Sequence, residues 1–389
     1  MKEAAAQVPP SALADLERSL HAVNRQLGEL RGVLHQQAAF TTEALHRAGW
    51  QSDEEAAQQA ALQRALRAVR GDTDVIVGPW TGEVGFELLY WIPFLTWLAG
   101  QGPGGRRMVV ISRGGAAPWY RHLTSRYLDT LDLMTPDAFR EATAGRKKQH
   151  DPRRALDLDL IRQARERFGL GEVPVVHPSA MFRLFMALWR KQATVELVES
   201  FASYGPLTPP APPDMPADAV PADLPADYVV AKFYFSKAFP DTAANRAFVA
   251  ETIGRVSRQA PVVVLSTAVR LDEHSDAEAR AGSGVFVVDA HRQAQVNLTV
   301  QTGLIARARG FIGTYGGFAY LAPFYGVPSL SFFSRRSGFE SHHLELASRV
   351  FDRVLPGGFL AVERSTANLF DPATERWTPL ARSAGAASP

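Results

Sequence analysis

The chain has no cysteine among its 389 residues. That excludes disulfide staples, thiolate metal ligands and a cysteine nucleophile, and it suits a reducing compartment. It also lacks a charge excess, since 42 lysines and arginines face 40 aspartates and glutamates. No polyanion or anionic membrane is therefore expected as the main partner, and only a local basic patch would draw an anion. No stretch reaches the roughly 18 uninterrupted apolar residues of a spanning helix. The longest candidate, residues 86–98, is interrupted by Glu87 and Pro93, and the N-terminal residues lack the apolar core of a secretory signal. These absences predict a soluble, cytoplasmic protein with no transmembrane segment, leaving peripheral membrane contact open.

What is present exceeds one ordinary core, so two compact domains and an appendage are expected. Leu13, Leu16, Leu20, Val23, Leu27, Leu30 and Leu34 alternate three- and four-residue spacings, an a/d seam. The seam predicts either self-association into a homo-oligomer or a helix lying on its own domain. Ser52 and Glu55 form a capping-box pattern for a following helix over 53–69.

From Asp74 the pattern changes to alternating strands and helices. Strands are predicted over 74–77, 108–112 and 173–177, with helices over 86–98, 156–168 and 179–192. A proline-rich stretch over 206–225 reads as an extended connector. Beyond it, strands are predicted over 228–233, 261–266, 285–289, 310–313 and 329–333, with helices over 242–258, 293–307, 317–325 and 340–350. The fold class is α/β, with parallel sheets covered on both faces. The expected organisation is a helical, coiled-coil extension over 1–70, one domain over 71–205, a linker over 206–226, and a second domain with its tail over 227–389. Two such domains joined by a linker make a cleft.

Three clusters at strand ends carry the candidate chemistry. In VIVGPWTGEVGFELLYWIP, Gly82 and Gly85 permit close backbone approach, and Glu83 and Glu87 are carboxylates at the strand mouth. Glu83 reads as a catalytic base or a solvated loop charge; Glu87 reads as catalytic or as a first-turn carboxylate supporting a helix. Trp80 is the aromatic expected to stack on a sugar or base. In VAKFYFSKAFPDT, Lys232, Ser236 and Lys237 offer phosphate contacts where an open sheet exposes its crevice, and Asp241 and Thr242 read as helix caps. In FIGTYGGFAY, Thr314 and Tyr315 supply hydroxyls while Gly316 and Gly317 leave backbone N–H groups clear at a helix start, an arrangement suited to a pyrophosphate.

Weaker signals are set aside. Asp157 and Asp159 imitate an acidic metal motif but lie in an amphipathic run expected to face solvent. His342 and His343 lack spaced zinc partners, and the sequon at Asn297 has no use without secretion. No metal site is predicted.

Together FIGTYGGFAYLAPFYGVPSLSFF, KFYFSKAFPDTAANRAFV and GPWTGEVGFELLYWIPFL resemble bacterial GT-B-type glycosyltransferases of surface-polysaccharide pathways, over roughly Asp74 to Ala347. The strand, turn, helix and GVP pattern also occurs in hydrolysing nucleotide-sugar epimerases. The resemblance implies two facing Rossmann-like domains. The carboxyl-terminal one would hold a nucleotide-diphosphate sugar as donor substrate and the amino-terminal one a glycan acceptor, with neither metal nor cofactor. It implies Thr314, Gly316, Gly317 and Lys237 at the diphosphate, Glu340 on the ribose, and Glu83 as the base of an inverting displacement. Alternatives are a nucleotide-sugar epimerase on the same fold and a non-catalytic nucleotide-sugar or glycan-binding assembly module.

Overall fold

The computed structural model describes residues 53–144, 149, 151–210, 216, 223–266, 274–289 and 293–365. The leucine seam, Ser52, much of the proline-rich connector and the tail lie outside the described residues. Two compact units divide the chain, Met1–Ala57 and Gln58–Pro389. Only residues 53–57 of the first are described; both parallel sheets belong to the second.

The first sheet contains β1 (Val75–Val77), β2 (Met108–Ser112), β3 (Tyr127–Asp129) and β4 (Val175–Val176), in the order β3-β2-β1-β4, with every pair parallel. The later strands are β5 (Val229–Lys232), β6 (Tyr234–Phe235), β7 (Val262–Ser266), β8 (Ser275–Asp276), β9 (Val285–Asp289), β10 (Gly310–Thr314), β11 (Ser329–Phe333) and β12 (Phe359–Glu363). β6 and β8 pair antiparallel as a small ribbon. The other six form a parallel sheet in the order β12-β11-β10-β5-β7-β9. Runs such as MVVIS and VVVLS are apolar on both sides because helices cover both faces, and β2 and most of β7 are buried accordingly.

Strand order reverses between β5 and β10 in the larger sheet and between β1 and β4 in the smaller. At such points neighbouring loops diverge to opposite faces, leaving a crevice at the strands' carboxyl ends. The loops after β1, β5 and β10 hold the three predicted clusters.

The loop after β1 departs from expectation at Trp80. Its side chain is fully buried, stacked on Trp91 at 5.9 Å and on Phe182 at 6.0 Å between ring centroids. A β-carbon at Gly82 would lie 3.1 Å from the Trp80 indole. Trp80 is thus a core residue and Gly82 makes room for it; neither lines the cavity described below. The periodicity of the flanking sequence could not show that this loop folds inward.

Asp157 is corrected as well. It is fully buried, with His177 Nε2 at 3.1 Å from its Oδ2, whereas Asp159 faces solvent and pairs with Arg162. The helix Ala155–Phe168 therefore turns Asp157 toward the sheet.

A polar seam joins the two sheets' loops. The helix Asn297–Arg307 is buried apart from its last residue. Its Leu298 N–H donates to the Gly114 carbonyl at 2.7 Å, its Thr299 hydroxyl to the Gly115 carbonyl at 2.6 Å, and Trp119 Nε1 donates to the Thr302 hydroxyl at 2.9 Å. Gly115 has φ +86, a left-handed conformation, and a β-carbon there would meet Gln295 O at 2.8 Å. Asp129, at the end of β3, braces this turn by accepting the N–H groups of Gly114 and Gly115 at 3.0 and 2.7 Å.

Burial pushes the Asp129 carboxyl up from 3.8 to about 6, against the lowering effect of those donors. Because its pKa is raised on folding, its contribution to stability is complete below about 3.8 and is lost as the pH rises through about 6. Urea melts between pH 4 and pH 7 are expected to show the wild-type protein losing on the order of 3 kcal/mol relative to Asp129→Asn, whose own deficit is independent of pH. A constant difference across that range would refute the assignment.

Candidate active site

A cavity of about 600 Å³ opens where the ends of the two sheets meet. One side is formed by Glu83, Val84, Gly85 and Phe86 after β1, with Arg113 and Gly114 after β2. The opposite side carries Lys232, Ser236 and Lys237 from β5 and its following loop, and Tyr315, Gly316 and Gly317 after β10. His274, Asp276 and Glu278, on or beside the β6–β8 ribbon, complete it.

Two helix starts converge here. Val84–Phe86, a π-helical turn Glu87–Trp91 and Ile92–Ala99 follow one another without a break, beginning at Glu83. The second helix is Gly317–Phe324. Gly316 precedes it with φ +140, and a β-carbon there would collide with the Tyr234 hydroxyl. A β-carbon at Gly317 would lie 2.8 Å from Val84 Cγ1 and 2.9 Å from the Gly85 nitrogen. The glycines therefore let the two helix starts approach each other. Each start carries N–H groups with no acceptor within its helix and the positive end of the helix dipole.

Glu83 has an extended backbone at φ −70 and ψ 146, and its side chain does not cap the helix it precedes. It lines the cavity, partly exposed. Glu87 does not. The π turn directs it inward, where it is fully buried and its Oε1 accepts from Ser112 Oγ at 2.5 Å and from Tyr120 OH at 2.6 Å. Burial raises its carboxyl above the usual range, while Arg113, 3.5 Å away, acts in the opposite sense. Glu87 organises the wall from behind, and its expected place at the strand mouth is corrected.

On the larger sheet's side, Lys232 is 2% exposed and donates to both carboxylate oxygens of Asp276 at 2.8 Å, with Nζ 5.4 Å from the Phe318 ring centroid. Lys237 is exposed and, among the described residues, has no carboxylate partner. Ser236 accepts the Phe239 N–H at 3.2 Å. Thr314 is not at the cavity: its hydroxyl donates to the Tyr234 carbonyl at 2.9 Å and accepts the Tyr234 N–H at 3.0 Å. It ties β10 to the start of the ribbon. Glu340 also falls outside, its carboxylate 3.5 Å from Lys191 Nζ.

Several lining residues escaped the sequence reading. Arg113 directly follows β2, a position that strand-end reasoning could have flagged. His343 lines the cavity with Nδ1 2.5 Å from the Tyr90 hydroxyl. Burial pushes the Tyr90 phenol well above its usual range. Asn297, noticed only as a sequon, opens a buried helix at the cavity, and Gln301 follows one turn later. His274, Asp276 and Glu278 belong to or adjoin a two-residue strand that has no local signature. Among the described residues no group of three or more His, Asp or Glu side chains could hold a metal ion, and no helix is long and apolar enough to cross a membrane.

No protein-family model matches the chain, and no curated protein matches it. Among solved structures, it is similar to the Escherichia coli ADP-heptose LPS heptosyltransferase II, at 12% identity, covering 75% of this chain and 90% of that one, with a TM-score of 0.39. A glycosyl transferase family 9 protein of Veillonella parvula is 10% identical over 78% of this chain and 89% of its own, with a TM-score of 0.36. The E. coli heptosyltransferase WaaC with ADP is 15% identical over 75% of this chain and 93% of its own, also with a TM-score of 0.36.

Proposed function

We propose that the protein is a metal-independent glycosyltransferase that moves a sugar from a nucleoside-diphosphate donor to a saccharide acceptor. The observation that carries this reading is the meeting of two helix starts, at Gly85 and Gly317, with Lys237 and Glu83 around one cavity at the strand ends of both sheets. Its volume of about 600 Å³ suits a nucleotide sugar. The diphosphate lies against the Gly316–Gly317 turn, where N–H donors, the helix dipole and Lys237 offset its charge. Glu83 takes the proton from an acceptor hydroxyl as that oxygen attacks the anomeric carbon. The bond to the diphosphate breaks, and the nucleoside diphosphate leaves with the bonding pair.

A concentration-dependent rise in melting temperature with ADP, GDP, UDP or dTDP, or with their sugars, tests the reading. A ligand at about 100 times its dissociation constant adds about 2.7 kcal/mol to folding stability. No shift with any member of that panel would overturn the donor assignment.

One observation favours a second reading. Glu83, Asp276, Glu278, His274 and His343 all line the cavity, a richer acid/base set than the sequence suggested. An epimerase would isomerise a nucleotide sugar in the absence of acceptor, whereas the transferase would return it unchanged or hydrolyse it slowly.

A further inference from the structure

Lys232 and Lys237 both line the cavity, yet they are held very differently. Lys237 is exposed, whereas the Lys232 ammonium is clamped by the Asp276 carboxylate, with Nζ donating to both oxygens. The Asp276 side chain is 17% exposed and lines the cavity as well. Strand alternation puts it there. His274, Asp276 and Glu278 line the cavity, while Ala277 and Ala279 between and beyond them pack on the apolar core of the larger sheet. Both members of the pair stand beside the turn assigned to the diphosphate. Lys232 is in register with Gly313 of β10, the strand that leads into the turn, and its Nζ lies near the ring of Phe318, the residue after Gly317. Asp276 is in register with Tyr234. The Tyr234 hydroxyl donates to the Tyr315 carbonyl at 3.3 Å and fills the space that a β-carbon at Gly316 would need.

A carboxylate in the cavity that receives a polyanion opposes it, and charges a few ångströms apart interact far more strongly beside a protein than in bulk water. We infer that Asp276 is a built-in competitor of the diphosphate: it takes up the Lys232 charge and so weakens the hold of the site on a nucleoside diphosphate. This inference rests on the transferase reading and adds to it a residue that sets donor and product affinity. Binding then draws on the turn's N–H groups, its helix dipole and Lys237, while a second cation is held back. A product gripped by two free lysines would leave slowly, and product release limits the turnover of many enzymes. The effect acts through charge at short range, so Lys232 need not leave its place. An ion pair with a purely structural role predicts a different outcome, since breaking it would cost stability and gain no affinity.

Calorimetry on the full chain with ADP, GDP, UDP and dTDP, and with the matching nucleosides as uncharged controls, tests this. Asp276→Asn, which removes the charge and keeps the shape, is expected to bind the diphosphate that the wild-type protein prefers about tenfold more tightly. Lys232→Gln, which leaves the carboxylate without its counter-ion, should bind it about tenfold more weakly and serves if Asp276→Asn fails to fold. Nucleoside affinity should stay within about twofold of wild type in both variants, because no phosphate is present to feel the change. Unchanged or weaker diphosphate binding in Asp276→Asn, or wild-type binding in Lys232→Gln, would overturn the inference and leave the transferase reading in place. Nucleoside affinity that moves as far as diphosphate affinity would also overturn it, assigning the pair to the shape of the pocket. Absence of nucleoside-diphosphate binding in the wild-type protein and both variants would sink the transferase reading and this inference with it.

Discussion

Glu83→Gln is expected to lower the rate of sugar transfer by about 10²- to 10⁴-fold, the usual contribution of a positioned general base, while nucleoside-diphosphate affinity and melting temperature stay unchanged. The amide keeps the size and hydrogen-bonding reach of the carboxylate but cannot take a proton. Folding should be indifferent, because the Glu83 side chain caps nothing in the helix that follows. The diphosphate contacts assigned to Gly316, Gly317 and Lys237 come from the other sheet and do not pass through Glu83. Transfer at the wild-type rate would remove Glu83 from the mechanism. A loss of donor binding equal to the loss of rate would make it a binding group instead.

Trp80→Ala should destabilise the fold by about 3–5 kcal/mol, the range for emptying a large aromatic site in a core, read as a lower urea midpoint with an unchanged slope. The side chain stacks on Trp91 and Phe182, both themselves buried. Its ring also supports Gly82, whose carbonyl receives the Arg113 guanidinium. The cavity's amino-terminal wall therefore rests on this indole, and binding losses should track unfolding. Retained stability with selective loss of ligand affinity would return Trp80 to a stacking role.

The strands were the most legible part of the chain. Met108–Ser112, Val285–Asp289 and Ser329–Phe333 match the sequence reading residue for residue, because continuous apolar runs between polar turns have little else to form in a doubly covered sheet. Tyr127–Asp129 was missed because it lacks the continuous apolar run that marks the equally short Val75–Val77. The β6–β8 ribbon was missed because it depends on a pairing some forty residues apart. At the site, what could be read was which loops lie at strand ends; where each side chain points could not. Glu83 and Glu87 are four residues apart and of one type, yet a π turn separates a cavity carboxylate from a buried one. Thr314 looked like a phosphate hydroxyl until both of its hydrogen bonds went to the Tyr234 backbone. Such choices are made by partners distant in sequence, and a local pattern does not record them.

A β-carbon at Gly317 would stand 2.8 Å from Val84 Cγ1 and 2.9 Å from the Gly85 nitrogen, whereas one at Gly85 would meet Gly317 only at an ordinary contact of 3.4 Å. For protein engineering this makes Gly317 the fixed member of the pair and Gly85 the adjustable one. A library that varies Gly317 will return failures that report crowding, whatever that residue's dealings with a ligand. Probing recognition at this turn calls for changes that add no atoms to the joint, such as backbone amide-to-ester replacement at Phe318, which deletes one donor and leaves the shape intact.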